Sequence, residues 1–314
     1  MPKPTIAAAL SPPPAPGPGT TGVLRSSLGA ATGESNGHEP VWGGKQYVHI
    51  LLLGLDRRDN EPTRSDTMIL ATVNLWDGVV SLLSIPRDLL VPIPDHGEDR
   101  VNTAFAYGEA THPNDPAAGP ALAVKTVSRQ FNVPIEHYLF VDFGSFREIV
   151  DAVGGVEITV PVAIDDPQYP TDNSGVTHLH FDAGMQHMNG SRALAYARTR
   201  HSIGDDNERR ERQMQVMQAV LVRALQIDSV RALPEIVKRL GNHMQTSLPY
   251  DAQLSLVKMG RKIGASGVAQ YSIRPPLVRP FVTSAGADIY LPDWAAIRPI
   301  VLEAIEPKRK ATQR

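Results

Sequence analysis

Three features of the sequence predict an α/β fold built on a mixed sheet. The first is a continuous apolar run of strand length, Tyr47-Val-His-Ile-Leu-Leu-Leu-Gly54. Such a run fits a strand buried on both faces rather than one wetted on alternate residues. The second is a pair of further apolar runs, 67–73 and 79–85, joined by Asp77-Gly78. Glycine accepts the positive φ of a tight hairpin turn, so these two strands are antiparallel neighbours. The third is a strand, helix, strand succession over 138–160, which implies a parallel pairing and makes the sheet mixed.

If the first three strands form a meander, the end of the first, the start of the second and the end of the third share one edge of the sheet. Those places hold Asp56, Asp66 and Arg87. Pro86 ends the third strand, so that Arg87 projects from the edge. Two carboxylates and an arginine arriving from separate positions are how a metal and phosphate site is assembled, since magnesium takes hard oxygen ligands and leaves phosphate to complete its shell. The bland alternatives are that Asp66 caps a turn, that Asp56 pairs with Arg58, and that Arg87 pairs with a nearby Asp.

Alanine-rich helical patterns follow at 101–110 and 118–131, then a strand at 138–142. A helix over 144–153 buries Phe146, Ile149, Val150 and Val153 and ends at Gly154-Gly155. Residues 156–160 are the next strand, and 165–184 reads as a loop. A helix over 209–225 carries Met214, Met217, Leu221, Ala224 and Leu225 on one stripe. A strand near 270–273 and a helix over 293–305, with Asp293 as its N-cap, close the fold.

The chain has 314 residues, 42% of them hydrophobic, no cysteine and a formal net charge of −2. It can bury a sizeable core, it makes no disulfide or thiolate site, and its lack of a basic field disfavours nucleic acid as a partner. No run approaches the ~18 apolar residues of a membrane span. Residues 1–45, rich in Pro, Gly and Ala without periodicity, read as a disordered linker. Residues 46–306 read as the catalytic domain, and 307–314 as a solvated basic tail.

Within this acidic chain, arginines concentrate in Ala193-Leu-Ala-Tyr-Ala-Arg-Thr-Arg200 and Asp206-Asn-Glu-Arg-Arg-Glu-Arg-Gln213. Guanidinium forks match phosphate oxygens and repel one another unless an anion lies between them. Arg198 and Arg200 would point to one side in an extended segment and diverge in a helix. Arg209, Arg212 and Gln213 fall on one face of the following helix, near its first turn, where free backbone N–H groups favour anions. The competing view is a solvated face on which these arginines pair with Glu208 and Glu211. His178, His180, His187 and His201 read as surface residues rather than zinc ligands.

Several motifs occur in order. They are Leu53-Gly-Leu-Asp56 with Arg58 beyond it, Arg64-Ser-Asp-Thr-Met68, Ser84-Ile-Pro-Arg-Asp88 and Arg100-Val-Asn-Thr-Ala104. Then come Val141-Asp-Phe143, Val150-Asp-Ala-Val-Gly-Gly-Val156, Asn189-Gly190 with the 193–200 run, and Arg209 with Arg212-Gln213. Together they make the chain resemble the LytR-CpsA-Psr family of bacterial cell-wall glycopolymer ligases, from Tyr47 to about Ile305. Glu208 stands where that family usually has glycine, and the membrane helix that usually opens the family has no counterpart in these 314 residues.

The resemblance implies a three-layer α/β/α sandwich with a mixed central sheet. It implies a phosphotransferase that moves a glycopolymer phosphate from a polyprenyl-pyrophosphate carrier onto a peptidoglycan sugar hydroxyl. Asp56 and Asp66 would hold Mg2+, for which Mn2+ can substitute, beside Arg87. Arg87, Arg198, Arg200, Arg209 and Gln213 would hold the pyrophosphate, with Arg58, Arg64 and Arg212 as further candidates. Cations there neutralise charge on the leaving phosphate, and positioning supplies most of the remaining acceleration. Asp56, Asp66 or Asp88 would serve as base. The implied location is extracytoplasmic, at the cell envelope, with the membrane surface met through the lipid substrate. A polyprenyl-pyrophosphate hydrolase and a non-catalytic binder of anionic polymer are the alternatives.

Overall fold

The computed structural model describes residues 40–56, 63–171, 175–199, 206–226, 244–263 and 267–308. The readings that fall on Arg58, Arg200, His201 and the side chain of Asp56 lie outside the described residues. Along the chain come β1 (Tyr47–Asp56), β2 (Arg64–Asn74), β3 (Val79–Ile85), β4 (Leu90–Ile93), β5 (Gly97–Arg100), α1 (Thr103–Thr111) and α2 (Ala118–Phe131). They are followed by β6 (His137–Asp142), α3 (Phe143–Ala152), β7 (Val156–Val160), β8 (Ile164–Pro170), β9 (Val176–Phe181), β10 (Gly184–Met188), α4 (Gly190–Arg198) and α5 (Asp206–Gln226). The last are β11 (Met244–Thr246), α6 (Tyr250–Ile263), β12 (Val268–Ser272), β13 (Val278–Val282), β14 (Asp288–Pro292) and α7 (Trp294–Ile305).

The central sheet runs β11-β6-β1-β2-β3-β12. The meander is the one its apolar runs predict, with β1, β2 and β3 antiparallel in turn. Its second turn closes on Gly78, at φ 61°, and on the Asn74 carboxamide oxygen, which accepts from the backbone N–H of Trp76 and Asp77. The sheet is mixed because β6 lies parallel to β1 and β12 parallel to β3.

Alternation along the strands feeds two cores. Leu51, Leu53, Leu55, Met68, Leu70, Leu83 and Ile85 face α1, α2 and α7. Val48, Ile50, Ile69, Ala71, Val80 and Leu82 face Met214 of α5 and Ala252 and Ile263 of α6. Helices therefore cover both faces, which explains why β1 to β3 read as unbroken apolar runs. Asp293 does cap α7, its carboxylate accepting from Ala296 N at 3.1 Å.

Three expectations fail for identifiable reasons. β7 does not join the central sheet, because β1 and β11 already occupy both flanks of β6; it pairs antiparallel with β10 instead. Residues 165–184 are not a loop but hold the hairpin β8–β9, whose mostly exposed side chains give no apolar period. The domain boundaries are also wider than 46–306. Trp42 is buried and donates through Nε1 to Ser255 Oγ at 2.8 Å, while Pro307 is buried and its carbonyl accepts from Asn74 Nδ2 at 2.9 Å.

A third core, with Val150, Val156, Ile158, Phe181, Met188, Tyr196 and Val216, ties α3, α4 and α5 to the two small hairpin sheets. The first turn of α4 lies so close to α3 that a Cβ at Gly190 would overlap the Arg147 carbonyl.

Candidate functional site

The meander brings Asp56, Asp66 and Arg87 to one end of the sheet, as the turn chemistry requires. Asp56 is opposite Arg64 and Met68 opposite Ile85. The register slips between Gly54 and Leu55, so that Gly54 faces Thr67, Leu55 faces Ser65, and Asp66 has no partner across the ladder. Such a bulge re-aims a side chain out of the pleat. The Asp66 carboxylate accepts from an Arg87 terminal nitrogen at 2.9 Å, and Arg87 Nε donates to Asp88 at 3.2 Å. Both side chains of the first pair are about one-fifth exposed, so the pair is reachable from solvent. Arg64, at the start of β2, is exposed.

Asp88 is buried and also lies 3.8 Å from Arg100. Two residues on, Asn102 is buried; its backbone N–H donates to the Arg87 carbonyl at 3.2 Å and its own carbonyl accepts from Ser65 Oγ at 3.4 Å. Its φ of −70° and ψ of −18° are helical, the carboxamide does not cap α1, and Oδ1 is buried with no hydrogen-bond partner among the described residues. A buried oxygen left unpaired in the folded chain costs about 1–3 kcal/mol. Sequence reasoning quoted this motif without giving Asn102 a role, since orphaned oxygens are visible only after folding.

The basic half comes from α4 and α5. Arg198 is the last residue of α4, so this segment is helical rather than extended and Arg198 is aimed by a helix terminus. Arg198 and Gln213 line a small cavity of about 50 Å3 together with Gly54 and Thr67, at the same end of the sheet as Asp66. Its other walls are apolar, among them Phe146, Leu194, Val216 and Met217, except for Asp142, which adds a carboxylate. Arg209 is buried at the start of α5.

Arg212 has a different place from the one expected. It is buried, donates from Nε to the Tyr196 carbonyl at 3.0 Å and from a terminal nitrogen to the Thr199 carbonyl, and lies 3.8 Å from Glu208. Burial pushes its pKa down from the usual arginine value. It thus secures the C-terminal turn of α4 instead of sharing a face with Gln213. Helical spacing divides α5 accordingly: Gln213, Val216 and Met217 border the small cavity, while Glu208, Glu211, Arg212 and Gln215 border a broad cleft of about 1320 Å3. Tyr196, Tyr271, Gln270 and Arg274 also line that cleft, and Arg274 is paired with Glu211.

The histidines sit on the hairpins. His178 and His180 both bond Asp165, His180 also bonds Asp182, and His187 bonds Glu157, all at exposed positions. Among the described residues no group of three or more acidic or histidine side chains is placed to hold a metal; Asp56 is outside that search.

Carboxylate and guanidinium groups gathered at one end of the central sheet of an α/β fold make an arrangement suited to binding anions. The LytR_cpsA_psr family matches residues 29–294, and the chain belongs to that family. The polyisoprenyl-teichoic acid–peptidoglycan teichoic acid transferase TagU of Oceanobacillus iheyensis is 38% identical over 214 residues, 68% of this chain and 62% of that protein. The TagU of Bacillus cereus is 35% identical over 228 residues, 72% of this chain and 68% of that protein. The chain therefore spans about two thirds of the length of these relatives, and slightly less of the first. The solved structure of TagT bound to LIIa-WTA has a TM-score of 0.66 at 26% identity, covering 88% of this chain and 98% of that one.

Proposed function

We propose that this protein is a phosphotransferase that moves a glycopolymer phosphate from a polyprenyl-pyrophosphate carrier to a sugar hydroxyl of peptidoglycan. It would act outside the cytoplasm, on a donor presented at the membrane surface. One observation supports the reading: the Asp66–Arg87 pair lies at the same sheet end as the cavity where Arg198, Gln213 and Asp142 stand beside apolar walls. An isoprenoid diphosphate has the same two-part character. The relatives' names, which specify a polyisoprenyl-linked teichoic acid and peptidoglycan, support the same substrate classes.

Each group has a physical task in this reading. Arg87 and Arg198 bind the diphosphate oxygens and oppose charge that builds on the leaving phosphate, where a dry surrounding strengthens their effect. Gln213 orients a phosphate oxygen, and the apolar wall excludes water from it. Arg209, Arg200 and Arg58, from the same motifs, are further candidates to bind the diphosphate. Asp66 and Asp56 would hold magnesium, whose hard oxygen preference suits carboxylates, and the buried unpaired Asn102 oxygen nearby is consistent with a site completed by a bound group. Bound magnesium would neutralise diphosphate charge. The acceptor glycan fits the broad cleft on the other flank of α5, where the Tyr271 ring and planar amides offer the stacking and hydrogen bonds sugars use.

The test is a transfer assay with a polyprenyl-pyrophosphate glycan, an acceptor glycan strand and each divalent metal in turn. Transfer to glycan supports the reading; release of the polymer to water alone turns it into a hydrolase; neither reaction under any metal defeats it.

A further inference from the structure

Asp166 is buried on β8, at 2% exposure, in a hairpin whose other buried side chains, Ile164 and Phe181, are apolar. Its Oδ2 accepts from the hydroxyl of Thr199 at 2.7 Å, and its Oδ1 accepts from Gln168 N at 3.1 Å. Thr199, itself 1% exposed, is the C-cap of α4 and follows Arg198 directly. The carbonyl of that threonine receives the buried Arg212 guanidinium. At the opposite end of α4, the Asn189 side chain accepts from Arg192 N, and Asp151 accepts from Gly190 N at 2.7 Å. Four side chains from outside or at the rim of this helix thus hold a nine-residue segment at both ends.

That arrangement exceeds what a surface helix needs. A helix C-terminus is ordinarily closed by glycine in the left-handed region, with its last carbonyls wetted. Here a β-branched residue with φ −57° and ψ 140° occupies the cap, and a buried carboxylate and a buried guanidinium replace water. Both groups cost several kcal/mol to desolvate unless well paired, so their presence is weak evidence for stability and better evidence for a fixed geometry. The residue directly before this cap is Arg198.

We infer that Asp166 is a positioning residue: through the Thr199 hydroxyl it sets the exit of α4 and holds the Arg198 guanidinium at the diphosphate site. The inference rests on the phosphotransferase reading above, and it reaches 33 residues along the sequence, from a hairpin that carries none of the family's motifs. Asp166 accepts from the Gln168 N–H and the Thr199 hydroxyl, and its action is on where a donor group points. A misplaced cation of this kind lowers affinity and rate without removing a ligand.

The experiment titrates inorganic pyrophosphate with magnesium into the full chain by calorimetry and follows circular dichroism and urea unfolding in parallel. Thr199→Val removes the hydroxyl at nearly constant volume, Thr199→Ser restores it, and Asp166→Asn removes the charge should the valine variant not fold. Expected is about tenfold weaker pyrophosphate binding for Thr199→Val and Asp166→Asn, with Thr199→Ser within about twofold of the parent. In an Arg198→Ala background Thr199→Val should add little further loss, because the two substitutions disable one device. A merely structural role predicts the contrary: lower unfolding midpoints, unchanged affinity of the folded fraction, and an undiminished loss from Thr199→Val on Arg198→Ala. That result overturns the inference. If Arg198→Ala itself leaves pyrophosphate affinity intact, it is the donor-site reading that fails instead.

Discussion

The acidic and basic halves of the site are built on two regions that achieve precision by different means. The acidic half stands on the meander β1–β3, where neighbouring strands fix one another along their length and a single bulge turns Asp66 out. Its side chains add ion pairs among themselves, Arg87 with Asp66 and Asp88, to what the ladder fixes. The basic half stands on α4 and α5, whose ends no backbone ladder holds, and there the chain uses buried polar groups, Asp166, Thr199 and Arg212, in place of a ladder. A strand end is positioned by periodic hydrogen bonds, whereas a helix end must be held by side chains from elsewhere. The comparison predicts that substitutions in the first region reach chemistry directly, while those in the second reach it through geometry and stability.

The largest effect should come from the meander. Asp66→Ala and Arg87→Ala each remove a charged group that the reading places against the reacting phosphates, and a loss of about 100-fold or more in transfer rate is expected. Both side chains lie at the sheet end and are partly exposed, so the urea midpoint should stay close to the parent's. Steady-state kinetics and unfolding on the same preparations check both halves of this statement. A variant that unfolds early but retains its rate would erase the contrast between the regions.

Arg212→Met probes the other means of support. It leaves the Tyr196 and Thr199 carbonyls without their buried donor and is expected to cost about 2–4 kcal/mol of unfolding free energy. If Arg212 were instead a diphosphate ligand, as its place in the sequence motif suggests, the loss would fall on pyrophosphate affinity with little change in stability. Calorimetry and urea unfolding on this one variant separate the two outcomes.

A smaller effect tests the division of α5 into two stripes. Tyr271→Ala, in the broad cleft, should raise the KM for acceptor glycan about three- to tenfold and leave pyrophosphate affinity unchanged. Equal losses toward donor and acceptor would mean that α5 does not separate two substrates.

The same contrast governs what could be read from sequence. Asp56, Asp66 and Arg87 were legible as one cluster because a two-residue turn and strand periodicity propagate register over short separations. Arg198 was legible as a basic residue, but its environment was not: whether 193–200 was helix or strand depended on packing against Phe181, Val150 and Val216, which are distant in sequence. Asp166 was invisible for a related reason, since its partner is 33 residues away and its hairpin has too few apolar positions to show a period. The assignment of β7 to the central sheet failed because β11, which blocks it, is only three residues long and leaves no pattern.

The two regions should also answer pH in opposite directions, the smallest of these effects. In the meander, the His49 ring is buried, with Nδ1 3.0 Å from Thr72 Oγ1. Burial pushes its pKa down, outweighing Glu136, which acts the other way and is itself held by His49 N and Lys45. The unfolded chain therefore takes up this proton first, and the His49 contribution, intact above the unfolded value of about 6.5, declines as pH falls below it. On the β8–β9 hairpin the sign reverses. Hydrogen bonds to Asp165 and then Asp182 push the exposed His180 up, so its contribution is present below about 6.5 and fades as pH rises through the higher folded value. Asp165, which its bonds to His178 and His180 hold below the usual range, loses its contribution only in more acidic solution. Between about pH 7.5 and 5.5, amide protection factors in β1 and β2 should fall while those in β8 and β9 rise, and His49→Gln should abolish the first change and spare the second. Parallel movement of both segments would show that they titrate as one unit, and the hairpin could then not be treated as an independently supported mount for Asp166.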